Sequence, residues 1–170
     1  MENEELDLPR WCPEPYEGES IANYLVRFRS QEAVNISAPS SFSQAIGLGI
    51  ALTRWEKFRF NPFPSDEEIR KFCSFVGLEV EKLVAMLPSK DERIKLEPIR
   101  LCLACYVEKP YHRLEWQFQS TAGCDKHRLR LLSKCPGCEK PFGISALVIE
   151  GKCPCGMPFR RMVKRQKPYY

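Results

Sequence analysis

No run of 18 apolar residues occurs in this 170-residue chain, so a membrane-spanning helix is excluded. The first residues, Met1-Glu-Asn-Glu-Glu-Leu-Asp7, are acidic and offer no apolar stretch for a secretory signal, and no lipidation motif ends the chain. A reducing, cytoplasmic setting is therefore expected, where nine cysteines read as metal ligands before they read as a disulfide framework. Histidine is scarce: there are two, and no Glu sits beside either in the manner of a hydrolytic zinc motif. A catalytic metal is accordingly not expected.

What is present is a row of ligand pairs: Cys102-Leu-Ala-Cys105, Cys124-Asp-Lys-His127, Cys135-Pro-Gly-Cys138 and Cys153-Pro-Cys155. A tight turn aims two donors at one ion and a second turn supplies two more, so four pairs satisfy two closed tetrahedral sites. His127 in the first set favours zinc over the all-thiolate iron alternative, and four protein donors leave no position for a reactive water. Sequential pairing is preferred over cross-bracing because it closes the shorter loops, 18 and 14 residues between half-sites. The Cys153-Pro-Cys155 spacing is tighter than that of the other pairs. Cys73 reads as a small buried hydrophobe, and Cys12 is given no role.

Charge divides the chain. Residues 1–97 carry 12 Lys/Arg against 17 Asp/Glu, a net of −5, while residues 98–170 carry 14 against 5, a net of +9. Seven thiolates and two Zn²⁺ would lower the second figure to about +6. The cations concentrate at Lys126, Arg128 and Arg130 and at Arg160, Arg161, Lys164, Arg165 and Lys167, a footprint suited to phosphate or to an acidic partner.

The expected fold is a small α+β chain, with an N-terminal helical, helix-turn-helix-like domain and linker over 1–97 followed by tandem zinc ribbons and a basic tail over 98–170. Ser20 caps a helix whose inward stripe is Ile21, Tyr24, Leu25 and Phe28. A second helix starts near Ser40 or Ser41, and a weaker one covers Thr53 to Phe58. Ser65-Asp-Glu-Glu68 is a capping box leading into Ile69, Phe72, Cys73 and Val76, with Gly77 as the stop and a further helix from Glu79 to Leu87. Glu79 and Glu81 would meet phosphate with like charge, so this pair is expected to dock on protein rather than to read bases. Ser89 to Arg93 reads as a linker. Tyr111, Trp116 and Phe118 either pack a ribbon or meet a partner, and His112 has no catalytic companion nearby.

Taken in order, Pro15-Tyr-Glu-Gly-Glu-Ser20 with Arg27, Arg100-x-Cys102-x-x-Cys105, Tyr111-His-Arg-Leu-x-Trp116, Cys124-x-x-His127-x-x-x-Leu131 and Cys135-Pro-x-Cys138 resemble the TniQ family over nearly the whole chain. The resemblance is nearest to the short TniQ of RNA-guided, CRISPR-associated bacterial transposons. It implies a non-catalytic adaptor joining the AAA+ regulator TnsC to a nuclease-inactive CRISPR effector, its guide RNA and target DNA. Glu79, Glu81, Tyr111, His112, Arg113 and Trp116 are the expected partner contacts. The longer relatives carry further C-terminal DNA-binding regions, and the end at Tyr170 makes autonomous site selection unexpected. The competing reading is a sequence-specific transcriptional regulator, which would lose about 1 to 3 kcal/mol per mismatched base pair.

Overall fold

The computed structural model describes residues 12–170; the acidic stretch at residues 1–7 lies outside the described residues. The first half is helical: α1 (Ile21–Arg29), α2 (Pro39–Ala45), α3 (Ala51–Glu56), α4 (Asp66–Val76) and α5 (Val80–Val84). Ser20 caps α1 by accepting the Asn23 N–H at 3.2 Å. The capping box of α4 forms reciprocally between Ser65 and Glu68, and Gly77 ends that helix at φ 78°, a left-handed conformation that suits glycine.

The core of this half gathers the expected stripes of α1 and α4 with Phe42, Leu52, Trp55 and Leu83. Phe28 stacks on Phe42 at 5.4 Å, and Trp55 meets Phe72 edge-on at 6.0 Å, the offset geometries that aromatic quadrupoles favour. The helix expected over Glu79 to Leu87 is shorter, only Val80–Val84, and buries Leu83 alone. The α4–α5 pair is thus a helical hairpin joined at a glycine, and nothing in it establishes a helix-turn-helix of the base-reading kind.

The metal-bearing half departs further from expectation. It contains α6 (Leu103–Glu108), a 3-10 turn (Leu114–Gln117), β1 (Gly123–Cys124), β2 (Leu129–Arg130), α7 (Ile144–Glu150) and α8 (Phe159–Val163). The one sheet is a two-stranded antiparallel pair with Gly123 opposite Arg130 and Cys124 opposite Leu129. Tandem ribbons are therefore replaced by ligand-bearing knuckles set between short helices. Tyr111, Trp116 and Phe118, expected as strand residues, flank or occupy the 3-10 turn instead.

The two halves share apolar surface. Ala22 and Val26, on the face of α1 opposite its main stripe, pack with Phe58, Leu114 and Ile144 in a third cluster. Ser89 to Arg93 leads directly into pairing: Gln119 N–H donates to the Arg93 carbonyl at 2.8 Å and Lys95 N–H to the Gln117 carbonyl at 2.7 Å. The expected linker is stitched to the second half. No helix among the described residues is long and apolar enough to cross a membrane.

Candidate metal centres and interfaces

Each ligand set converges. The donor atoms of Cys102, Cys105, Cys124 and His127 lie within 4.8 Å of one another, as do those of Cys135, Cys138, Cys153 and Cys155, so the pairing is sequential. In the first set Cys105 Sγ lies 3.6 Å from Cys124 Sγ, and His127 Nδ1 lies 3.8, 3.3 and 3.6 Å from the sulfurs of Cys102, Cys105 and Cys124. In the second, Cys135–Cys155, Cys138–Cys153 and Cys153–Cys155 are 3.7, 3.5 and 3.5 Å apart. Metal–sulfur bonds of about 2.3 Å and metal–nitrogen bonds of about 2.0 Å in a tetrahedron require edges of roughly 3.5 to 3.8 Å. Both clusters therefore fit a metal ion, including the tight Cys153-Pro-Cys155 pair.

Local structure explains the convergence. Cys102 precedes the first turn of α6 and Cys105 lies within it, while Cys124 ends β1 and the Arg128 N–H returns to its carbonyl at 2.8 Å, bending His127 back toward the sulfurs. At the second site the Gly137 N–H lies 3.4 Å from Cys135 Sγ, the donation from a tight turn that favours thiolate. The two sets differ in exposure: Cys102 and Cys135 are fully buried, whereas Cys155 is exposed.

Glu108 belongs to the first centre although its role escaped sequence reasoning. Its Oε1 lies 2.7 Å from His127 Nε2 and its Oε2 2.5 Å from Lys126 Nζ. A carboxylate on the far ring nitrogen fixes the tautomer that leaves Nδ1 free as the ligand. Lys126, then His127, hold the Glu108 carboxyl below the usual range. Glu108 stands one helical turn after Cys105, which was the available sequence signal.

Lys126 is accordingly engaged by Glu108. The other seven predicted cations, Arg128, Arg130, Arg160, Arg161, Lys164, Arg165 and Lys167, are all exposed, and none makes an ion pair among the described residues. Chain separation between Lys167 and the Arg128–Arg130 segment disappears in the fold. Arg130 N–H donates to the Lys167 carbonyl and Tyr169 N–H to the Arg128 carbonyl, both at 2.8 Å, with Leu129 bridged to Pro168.

The predicted partner contacts separate into two groups. Glu79 and Glu81 are exposed beside Val80 and Val84, an acidic and apolar face on α5. Tyr111, His112 and Trp116 are buried, at 3%, 0% and 1% exposure, and their burial assigns them to the seam between the halves rather than to a partner surface. Arg113 is half-buried, its guanidinium 4.9 Å from the Tyr111 ring centroid and 6.0 Å from that of Trp116.

That seam joins Pro15–Ser20 to Tyr111–Trp116. Ser20 N–H donates to the His112 carbonyl at 3.0 Å, Leu114 N–H to the Gly18 carbonyl at 2.9 Å, and the Tyr111 hydroxyl to the Glu17 carbonyl at 2.7 Å. His112 Nδ1 lies 2.9 Å from Ser20 Oγ, and its backbone N–H reaches Asn23 Oδ1 at 3.1 Å. Glu19, fully buried, accepts from Asn23 Nδ2 at 2.8 Å and from Arg27 Nε and Nη2 at 3.0 and 2.9 Å. Gln117 extends the network by accepting the Arg100 N–H at 2.9 Å, while the Arg100 guanidinium donates to the Phe118 and Thr121 carbonyls at 2.6 Å each. Buried polar groups are costly unless satisfied, and apart from Arg100 Nε and Arg113 Nε, which have no partner among the described residues, the seam residues satisfy one another.

The TniQ family model matches residues 10–131, most of the chain. The chain belongs to the TniQ family. A search of curated proteins found no match. The matched region takes in the seam motifs and the first TniQ ligand set, Cys102 to His127, and stops before Cys135. The second set and the basic tail thus lie outside it, whereas the sequence resemblance extends over nearly the whole chain. Membership places the chain among transposition-associated adaptors, proteins that work with TnsC-type partners and generally without chemistry of their own.

Proposed function

We propose that this TniQ protein is a non-catalytic targeting adaptor of RNA-guided transposition, linking the AAA+ regulator TnsC to a nuclease-inactive CRISPR effector with its guide RNA and to target DNA. The observation that carries the reading is the family match together with two ligand sets, each supplied with four protein donors. Zinc is the metal that this donor set suits: three thiolates with one imidazole in the first site and four thiolates in the second, with edges of tetrahedral length. Its part is structural, because four protein ligands complete the coordination.

In this reading residues 1–97 form the docking unit and residues 98–170 the metal-bearing unit with its basic surface. The docking face is α5, where Glu79 and Glu81 flank exposed Val80 and Val84; carboxylates and apolar side chains suit protein and repel phosphate. The same face disfavours the regulator alternative, which would need cations at the start of that helix.

The purified chain is expected to bind nucleotide-loaded TnsC, and the double reversal Glu79→Lys, Glu81→Lys is expected to weaken that binding at least tenfold with little change in binding to naked DNA. Surface plasmon resonance against both targets separates the outcomes. Unchanged TnsC binding would remove α5 from the docking face, and loss of a sequence-specific duplex interaction would favour the regulator.

A further inference from the structure

The C-terminal tail returns to the first metal knuckle and is fastened on both sides of Lys167. Before it, Gln166 is buried: its Oε1 accepts the Leu103 N–H, next to ligand Cys102, at 3.0 Å, and its Nε2 donates to the Arg130 carbonyl at 2.8 Å. After it, the ring of Tyr169 lies over Gly123, next to ligand Cys124. A Cβ at Gly123 would stand 2.3 Å from Tyr169 Cγ, so the absence of a side chain there is what admits the ring. Upstream, Met162 anchors α8 while Arg160, Arg161, Lys164 and Arg165 stay exposed.

The bridge between Leu129 and Pro168 sets Arg130 opposite Lys167. Directly opposed like charges across a backbone pairing repel, and no acid among the described residues offsets either one. Such an arrangement suits an anion bound from outside, and a row of cations on a paired strand suits the repeating phosphates of a nucleic-acid backbone.

We infer that Tyr169 and Gln166 latch the tail onto the first metal knuckle, and that this latch assembles Arg130, Lys167 and the cations of α8 into one phosphate-backbone binding surface. The inference rests on the nucleic-acid contact in the proposed function and adds its structural switch: the charges act together only while the ring is seated. It also couples the first metal site to binding, because both anchors touch backbone adjacent to its ligands.

The test is binding of the full-length, metal-loaded chain to a fluorescent RNA hairpin and to a DNA duplex of mixed sequence, measured over a range of salt. Tyr169→Ala removes no charge, yet it is expected to weaken both by about tenfold and to lower the salt slope by about two contacts, while Tyr169→Phe behaves as the parent. A response confined to one probe would assign the surface to that polymer. Two metals per chain should remain in both variants. Parent-like affinity and slope in Tyr169→Ala, with weakened binding in Arg130→Glu, Lys167→Glu, would overturn the latch and leave the nucleic-acid reading standing. If neither variant changed binding, the nucleic-acid reading itself would fail and the charge would belong to an acidic protein contact. Loss of metal from Tyr169→Ala would also overturn the inference, making the ring a part of the metal fold.

Discussion

Cys102→Ser is expected to release one metal per chain, unfold the first knuckle and lower the melting temperature by on the order of 10 °C. The reason is the make-up of the local core: Cys102, Cys105, Cys124, Cys135 and Cys153 are themselves members of the cluster that holds Leu101, Leu103, Trp116 and Met162. A metal-bearing unit of this size has little other apolar material, so metal binding is a large part of its folding energy. A loss of about 3 to 5 kcal/mol in a chain of this length corresponds to a shift of that order. Because Gln166 and Tyr169 are seated against the same knuckle, the tail should detach with it and exchange its amide protons faster. Cys12→Ser is the control, since Cys12 lies outside both sets and serine can keep the contact with the Tyr24 hydroxyl. Coincident melting curves for Cys102→Ser and the parent would show that this cysteine is not a structural ligand.

The second large effect is on pH. Burial pushes the His112 imidazole down to about 3, so in the folded chain it stays neutral. In the unfolded chain it titrates near 6.5. Below that value the unfolded state takes a proton that the folded state refuses, so stability falls with falling pH by about 1.4 kcal/mol per unit until the folded pKa is reached. Between pH 7 and 5 the loss from this residue is about 2 kcal/mol, and above pH 7 it contributes no slope. Protonation of the metal ligands acts in the same direction. The informative quantity is therefore the difference between parent and His112→Gln in denaturant titrations at saturating zinc. The variant should show a shallower decline below pH 6.5; parallel curves would mean that His112 accepts a proton without breaking the seam.

The features read correctly from sequence are local ones. A capping box, a serine cap and a cysteine pair in a tight turn each depend on residues within a few positions, and all three appear as expected at Ser65, Ser20 and the ligand pairs. The ribbons did not appear, because loops of 18 and 14 residues can hold either strands or a helix and nothing local decides between them; Ile144–Glu150 chose helix within the second loop. The seam was hidden for a different reason. Only one stripe of α1 was visible as a helical period, whereas the helix is covered on two sides and buries Ala22 and Val26 as well. For Tyr111 and Trp116 the sequence leaves packing and partner contact both open, and burial decides for packing; with His112 they serve an interface that is internal. Tail pairing had no signature at all, because Pro168 breaks strand patterns and the slot it leads to is a single glycine more than forty residues away.

These elements give the adaptor reading a consistent physical basis. The acidic, apolar face of α5 suits a protein partner, the tail and β2 suit phosphates, and the buried seam between Ser20 and His112 holds the segments that carry them in one body. Reconstituted RNA-guided insertion tests this most directly, comparing complete reactions with ones lacking only this chain. Insertion at the guide-specified site is expected to fall at least a hundredfold on omission and to return on adding the metal-loaded protein, which alone should show no cleavage or strand transfer. Guided insertion at an undiminished level without the protein would contradict the adaptor reading.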